Sequence, residues 1–194
     1  MNIKELYNNK LEQFGENDFR SLNWGDKEGK SAKKRYEQMS QFVDFKNSTI
    51  FDFGCGWGSF LDFNFKYKEY TGYDINENFI KLAKQKYPKH TWIEDLNTLK
   101  DTNPYYDVCI SSGVAGNRGG PAWHPNLLKG YLTLMSSISN KTLINFPSNR
   151  ATIRTENVEY FSPEYVIGQA LDITENIELI HKEKSDFLLI LTHE

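Results

Sequence analysis

The chain has 194 residues, 39% hydrophobic and 14% aromatic, enough for one sizeable core and too apolar for a disordered chain. A net charge of −3 and a pI near 5.9 leave no global positive field to draw it to nucleic acid or anionic membrane. Two cysteines without C-x-x-C spacing read as free thiols in a reducing, cytoplasmic compartment, and four scattered histidines show no metal-ligand spacing. The segment Met1–Glu5 lacks the apolar run of a signal peptide, and no stretch approaches the roughly 20 apolar residues that cross a bilayer.

Residues 1–48 read as an N-terminal helical cap. Ile3, Leu6, Tyr7 and Leu11 share one face at helical spacing, an irregular aromatic stretch follows from Phe19 to Asp26, and a second helix is predicted from about Ser31. Tyr36, Met39, Phe42 and Val43 are its expected buried side. Lys27, Lys30, Lys33, Lys34 and Arg35 are its expected other face, which by itself reads as a solvated basic face.

From residue 49 strands and helices alternate, the pattern of parallel strands with right-handed crossovers. The apolar run Ile50–Phe53 ends in Gly54, Gly56 and Gly58 and enters the apolar-patterned stretch Ser59–Phe65, read as strand, glycine turn and helix. Such glycines permit a sharp turn and leave no Cβ where a ligand must lie, and the next helix is expected to offer free N–H groups. A pyrophosphate-binding dinucleotide turn reads G-x-G-x-x-G; here the third glycine comes one residue early. Asp74 ends the second predicted strand, 20 residues after Gly54, where a carboxylate accepts from both hydroxyls of a ribose. A helix over Glu77–Tyr87 is stopped by Pro88, and His90–Ile93 forms a short third strand.

Asp52-Phe53-Gly54-Cys55-Gly56-Trp57-Gly58 resembles the first motif of the class I S-adenosylmethionine-dependent methyltransferases, and Gly72-Tyr73-Asp74-Ile75 the second. The resemblance covers about residues 49–194. The elements Asn23-Trp24-Gly25 and Lys34-Arg35-Tyr36 also look like small bacterial methyltransferase-domain proteins. It implies an α/β, Rossmann-like three-layer sandwich: a seven-stranded, mostly parallel sheet whose last strand is antiparallel. It further implies a single domain over 1–194, with 49–194 as its core, and S-adenosyl-L-methionine as cofactor. The implied cofactor contacts are Asp52, Gly54, Cys55 and Gly56 in the turn, then Asp74 and Ile75 beside the ribose. Asp95 and Leu96 are implied at the adenine, with Glu94 as the competing acid, and the bland reading of both acids is a surface loop. Arg35 is implied at the methionine carboxylate, with Trp24 closing over the cofactor. Tyr105–Gly113 resembles the family's fourth strand, which sets Ser111 beneath the sulfonium and makes Asp107, at the strand entrance, structural.

The loop Gly116–Pro125 gathers Gly, Pro, polar and aromatic residues at the carboxyl edge of the sheet, where ligands of such folds lie. Asn117 and Arg118 are candidates for an acceptor's carboxylate, phosphate or sugar hydroxyl, and Trp123 for covering an acceptor ring; a solvated arginine and a packing tryptophan are the alternatives. An oxygen or nitrogen acceptor can require a base, for which His124 is the first candidate and a helix cap its other reading. A helix is expected from Asn126, with Pro125 in its first turn, then a strand over Lys141–Phe146 and a polar insertion over Pro147–Glu159. Ser162-Pro163-Glu164 reads as a helix start: hydroxyl cap, proline at the first position, acid in the first turn. Ile177–His181 and Phe187–Leu191 form the closing hairpin.

The sequence therefore predicts methyl transfer to oxygen or nitrogen of a small molecule or sugar-containing metabolite, with no nucleic-acid or membrane partner and no metal, by a monomer or homodimer. The Asn/Asp-Pro-Pro-Tyr segment of exocyclic-amine DNA enzymes is replaced by Ser111-Ser112-Gly113-Val114. Two rivals stand beside this reading: an NAD-linked oxidoreductase, disfavoured by glycine spacing and the final hairpin, and a non-catalytic methyltransferase-like partner subunit.

Overall fold

The alternation of buried strands and amphipathic helices is realised in a computed structural model that describes residues 2–102, 104–117, 119–120 and 125–193. The chain forms two compact units, Met1–Asn103 and Pro104–Glu194.

In the first unit, α1 (Ile3–Phe14) opens on a capping box: Asn2 Oδ1 accepts from the Lys4 N–H, and the Glu5 carboxylate accepts from the Asn2 N–H. Its stripe of Ile3, Leu6, Tyr7 and Leu11 is half-buried, as the spacing predicted. A 3-10 turn over Phe19–Leu22 leads to α2 (Lys30–Met39), which buries Ala32, Tyr36 and Met39. The helix stops before Phe42 and Val43, which lie half-buried beyond it, and Lys27 precedes it. Three parallel strands follow, β1 (Thr49–Phe53), β2 (Glu69–Tyr73) and β3 (Thr91–Ile93), in the order β3-β2-β1. Between β2 and β3 runs α3 (Glu77–Lys86), capped by Asn76. The short α4 (Asn97–Thr102) was not foreseen, because six residues with one buried leucine give no helical period.

One expectation fails. The stretch after the glycine turn is a five-residue 3-10 helix, Ser59–Phe63, not an α-helix. Gly58 (φ 82°) and Asn64 (φ 58°) bracket it with left-handed backbone, and Ser, Phe and Asp are weak helix formers. Its first N–H groups are spent internally: Ser59 donates to the Cys55 carbonyl (3.3 Å) and Leu61 to that of Gly58 (2.9 Å).

The second unit holds β4 (Tyr106–Ser111), α5 (Pro125–Ser137), β5 (Ser139–Pro147), α6 (Pro163–Ala170), β6 (Ile177–Ile180) and β7 (Asp186–Thr192). The strands run β4-β5-β7-β6; β4 and β5 are parallel, and β7 is antiparallel to both its neighbours. Ser162 caps α6, its Oγ accepting from the Tyr165 N–H, with Pro163 at the first position. Leu143, Ile144, Phe146 and the β7 run Phe187–Leu191 are buried on both faces, as expected of sheet strands covered on two sides. The seven strands make the mostly parallel sheet with one antiparallel strand, the Rossmann-like class that the sequence predicted. Among the described residues no helix is long and apolar enough to cross a membrane.

Candidate functional site

The glycine turn is held by the end of β2. Gly54 and Cys55 both donate their N–H groups to the Tyr73 carbonyl, at 2.7 and 2.9 Å. Gly54, Gly56 and Gly58 all have positive φ (79°, 56° and 82°), which residues with a Cβ rarely adopt. The third glycine has a second reason to be early: a Cβ on Gly58 would lie 2.6 Å from the Trp92 ring. A Cβ on Gly56 would lie 2.5 Å from Leu22, so a side chain of the N-terminal cap rests against the turn.

Asp74 clasps this turn. Its Oδ2 accepts from the Gly56 N–H (2.9 Å) and its Oδ1 from the Asn76 N–H (2.8 Å). Burial raises its carboxyl to about 6 against these two bonds, which lower it. Each oxygen keeps a lone pair for a further donor, which is what a ribose diol needs. Beside it Ile75 is 50% exposed, an apolar surface left open. Asn76, which sequence reasoning missed, is buried and extends the clasp: its Oδ1 caps α3 and its Nδ2 donates to Asn8 Oδ1 on α1 (2.9 Å). The signal for it was an Asn just before an acidic helix start; its partner lies 68 residues away and left none.

Asp52 is fully buried in β1. The Tyr70 hydroxyl donates to its Oδ2 (2.7 Å), while Oδ1 has no partner among the described residues. Burial drives this carboxyl up to about 7, and the nearby Asp74 charge adds to the rise. Cys55 is buried, and burial pushes its thiol well up, so it stays protonated and serves as packing.

The structure brings Arg35 and Trp24 together, with the guanidinium 4.9 Å from the indole centroid. Arg35 is half-buried and not part of a solvated face. Asp95 is exposed after β3, and its Oδ1 accepts from the backbone and side-chain N–H groups of Asn97 (both 2.9 Å), an Asx turn that starts α4. Glu94 pairs with Lys84 at 2.6 Å, which leaves Asp95 the freer of the two acids. Leu96 is half-buried beside it.

In the second unit Ser111 ends β4 and accepts from the Tyr131 hydroxyl (2.6 Å). Asn117 spends its carboxamide locally, donating to the Gly113 carbonyl (2.9 Å), and pairs as an isolated bridge with Val158. Arg118, Trp123 and His124 lie outside the described residues. Among the described residues no group of three or more His, Cys, Asp or Glu side chains is placed to hold a metal ion.

The family described as methyltransferase domain matches residues 51–117, from β1 through Asn117. No curated protein matches the sequence. Similar solved structures include magnesium protoporphyrin IX methyltransferase (ChlM) from Synechocystis PCC 6803 with bound SAH. It is 12% identical, TM-score 0.70, with 99% of this chain and 98% of that one covered. The pyocyanin biosynthetic protein PhzM is 10% identical, TM-score 0.66, covering 90% and 58%. Streptomyces venezuelae DesVI is 11% identical, TM-score 0.63, covering 84% and 92%. At these identities the likeness is one of fold, and the turn, the Asp74 clasp, Asp95 and Ser111 all fall inside the matched stretch. Over residues 51–117 the chain thus resembles a methyltransferase domain, and its fold is shared with solved methyltransferases.

Proposed function

We propose that the protein transfers the methyl group of S-adenosylmethionine to an oxygen or nitrogen of a small molecule or sugar-containing metabolite. The observation that carries this is the Asp74 clasp: a half-buried carboxylate, fixed by two backbone N–H groups at the end of β2, with lone pairs to spare for a ribose. Asp52 supports it, since a buried acid without a cationic partner among the described residues suits a cofactor that carries positive charge. We assign Arg35, which lies over Trp24, to the methionine carboxylate, and Asp95 with Leu96 to the adenine.

When bound, the cofactor supplies the electrophilic methyl group. The chain's own residues bind and orient it, and holding donor and acceptor in line supplies much of such a rate. His124 is the base we assign to an acceptor that must lose a proton. A small acceptor agrees with the net charge of −3 and with the names of two similar structures, a magnesium protoporphyrin IX methyltransferase and a pyocyanin biosynthetic protein. The protein is proposed to act in the cytoplasm as a monomer or homodimer, without nucleic acid or membrane.

Calorimetric titration with S-adenosylhomocysteine, with NADH as control, tests this reading. Micromolar or tighter binding of the former alone is expected. Binding of NADH alone would favour the oxidoreductase, and no binding by folded protein the non-catalytic subunit.

A further inference from the structure

The carboxyl ends of β4 and β5 carry two buried polar side chains that nothing among the described residues satisfies. Asn145 is 1% exposed, and among the described residues neither its Nδ2 nor its Oδ1 has a hydrogen-bond partner. Ser112 is 6% exposed, and its Oγ likewise has no partner among the described residues. In the β4–β5 ladder Ser111 pairs with Ile144, so one further step brings Ser112 beside Asn145. A buried carboxamide with both ends unpaired is costly, and natural sequences tolerate such a group mainly where a ligand or ordered water completes it. Nearby chain is folded tightly round the strand ends. The Glu159 N–H donates to the Gly116 carbonyl, the Phe161 N–H donates to that of Pro147, and a Cβ on Gly116 would lie 2.3 Å from the Pro147 ring.

We propose that Asn145, with Ser112, is the specificity site for the methyl acceptor and takes an uncharged group that both donates and accepts hydrogen bonds, such as an amide edge. This rests on the methyltransferase reading above. A carboxamide offers one acceptor and two donors in one plane, and a hydroxyl beside it adds one of each. An amide edge of the acceptor meets both kinds. A carboxylate meets only the donors, and neither Asn145 nor Ser112 brings a charge to offset burying one.

The test is a nitrogen-15 NMR titration of the protein saturated with S-adenosylhomocysteine, following the assigned side-chain NH2 of Asn145. The probes are benzamide and benzoate, which share a ring and differ in the group that the site reads. Benzamide is expected to bind with a dissociation constant on the order of millimolar, the range for so small a ligand, and to shift the Asn145 NH2 pair. Benzoate is expected to bind at least about tenfold more weakly, for want of a partner for its charge. Asn145→Leu is expected to lose benzamide binding about tenfold or more while retaining its affinity for S-adenosylhomocysteine. Asn145→Ser, smaller and still polar, gives the same comparison if the leucine variant does not fold. The proposal is overturned if benzamide leaves the Asn145 NH2 unmoved, if benzoate binds equally well, or if the variants bind benzamide like the parent, which would leave a buried water as the occupant. Failure of S-adenosylhomocysteine to bind would instead overturn the methyltransferase reading on which the site depends.

Discussion

The Asp74 clasp and the Asn145 site solve the same problem in opposite ways. At the end of β2 a carboxylate is fixed from within, each oxygen already holding a backbone N–H. At the end of β5 a carboxamide of similar size is buried with no bond made to any described residue. The first is a receptacle built before any ligand arrives, which suits a cofactor common to every turnover. The second is complete only when something fills it, which suits the component that distinguishes one reaction from another. Asp52 is the exception in the first region: satisfied by Tyr70 on one oxygen and, among the described residues, orphaned on the other.

That exception offers the largest effect. Burial raises the Asp52 carboxyl to about 7 from the ordinary 3.8, so the folded protein holds a proton there that the unfolded chain has lost. The stability this group contributes is present at low pH and is lost as pH rises from about 4 to 7. Asp74, raised to about 6, acts in the same direction. Asp52→Asn keeps an acceptor for Tyr70 and cannot ionise. Urea unfolding should show the variant level with the parent near pH 4 and more stable by up to about 4 kcal/mol at pH 8. Equal stability at both pH values would mean that Asp52 is not buried as an acid.

The contrast itself is tested by removing each polar group. Asp74→Ala should weaken S-adenosylhomocysteine binding by about tenfold or more, seen by calorimetry, because the acceptor we propose for the ribose is lost. It should also speed amide exchange at Gly56 and Asn76, whose N–H groups it leaves unpaired. Asn145→Leu should do the reverse to the fold and raise stability by about 1 kcal/mol in urea unfolding, since an unsatisfied group is replaced by an apolar one of similar volume. Lower stability would show that Asn145 is satisfied within the protein.

The smallest effect sharpens the first half of the comparison. Asn8 Oδ1 accepts from Nδ2 of both Asn76 and Asn78, tying α1 to the segment that follows Asp74. Asn8→Ala should lower affinity for S-adenosylhomocysteine about threefold without touching the ligand, and Asn8→Asp, which keeps the acceptor, should restore it.

What the sequence disclosed was mostly local. Gly54, Gly56 and Asp74 sit at a fixed spacing that a strand–turn–helix unit imposes, and Ser162-Pro163-Glu164 writes its helix start within three residues. The resemblance singled out Arg35 and Trp24 as separate candidates, and their contact with each other was not legible. The Asn76–Asn8 bond was not legible, because its partners lie 68 residues apart. The Ser59–Phe63 turn misled because its apolar residues keep helical spacing for a length too short to form one. Asn145 was overlooked because a lone polar residue in a strand usually faces water. Its neighbours Ile144 and Phe146 are both buried, which should have marked it as buried too.

The place of β7 has a bearing on how the protein is made. It lies between β5 and β6, yet it is the last of the three to leave the ribosome. At synthesis rates of about 5–20 residues per second, β5 waits some seconds with the edge that β7 will cover still open, and β6 waits without a neighbour. Leu143, Ile144 and Phe146 are apolar along that edge, which makes a chain arrested before Asp186 a sticky one. Nascent chains of this protein should therefore be most demanding of chaperones in the interval just before the final strand emerges.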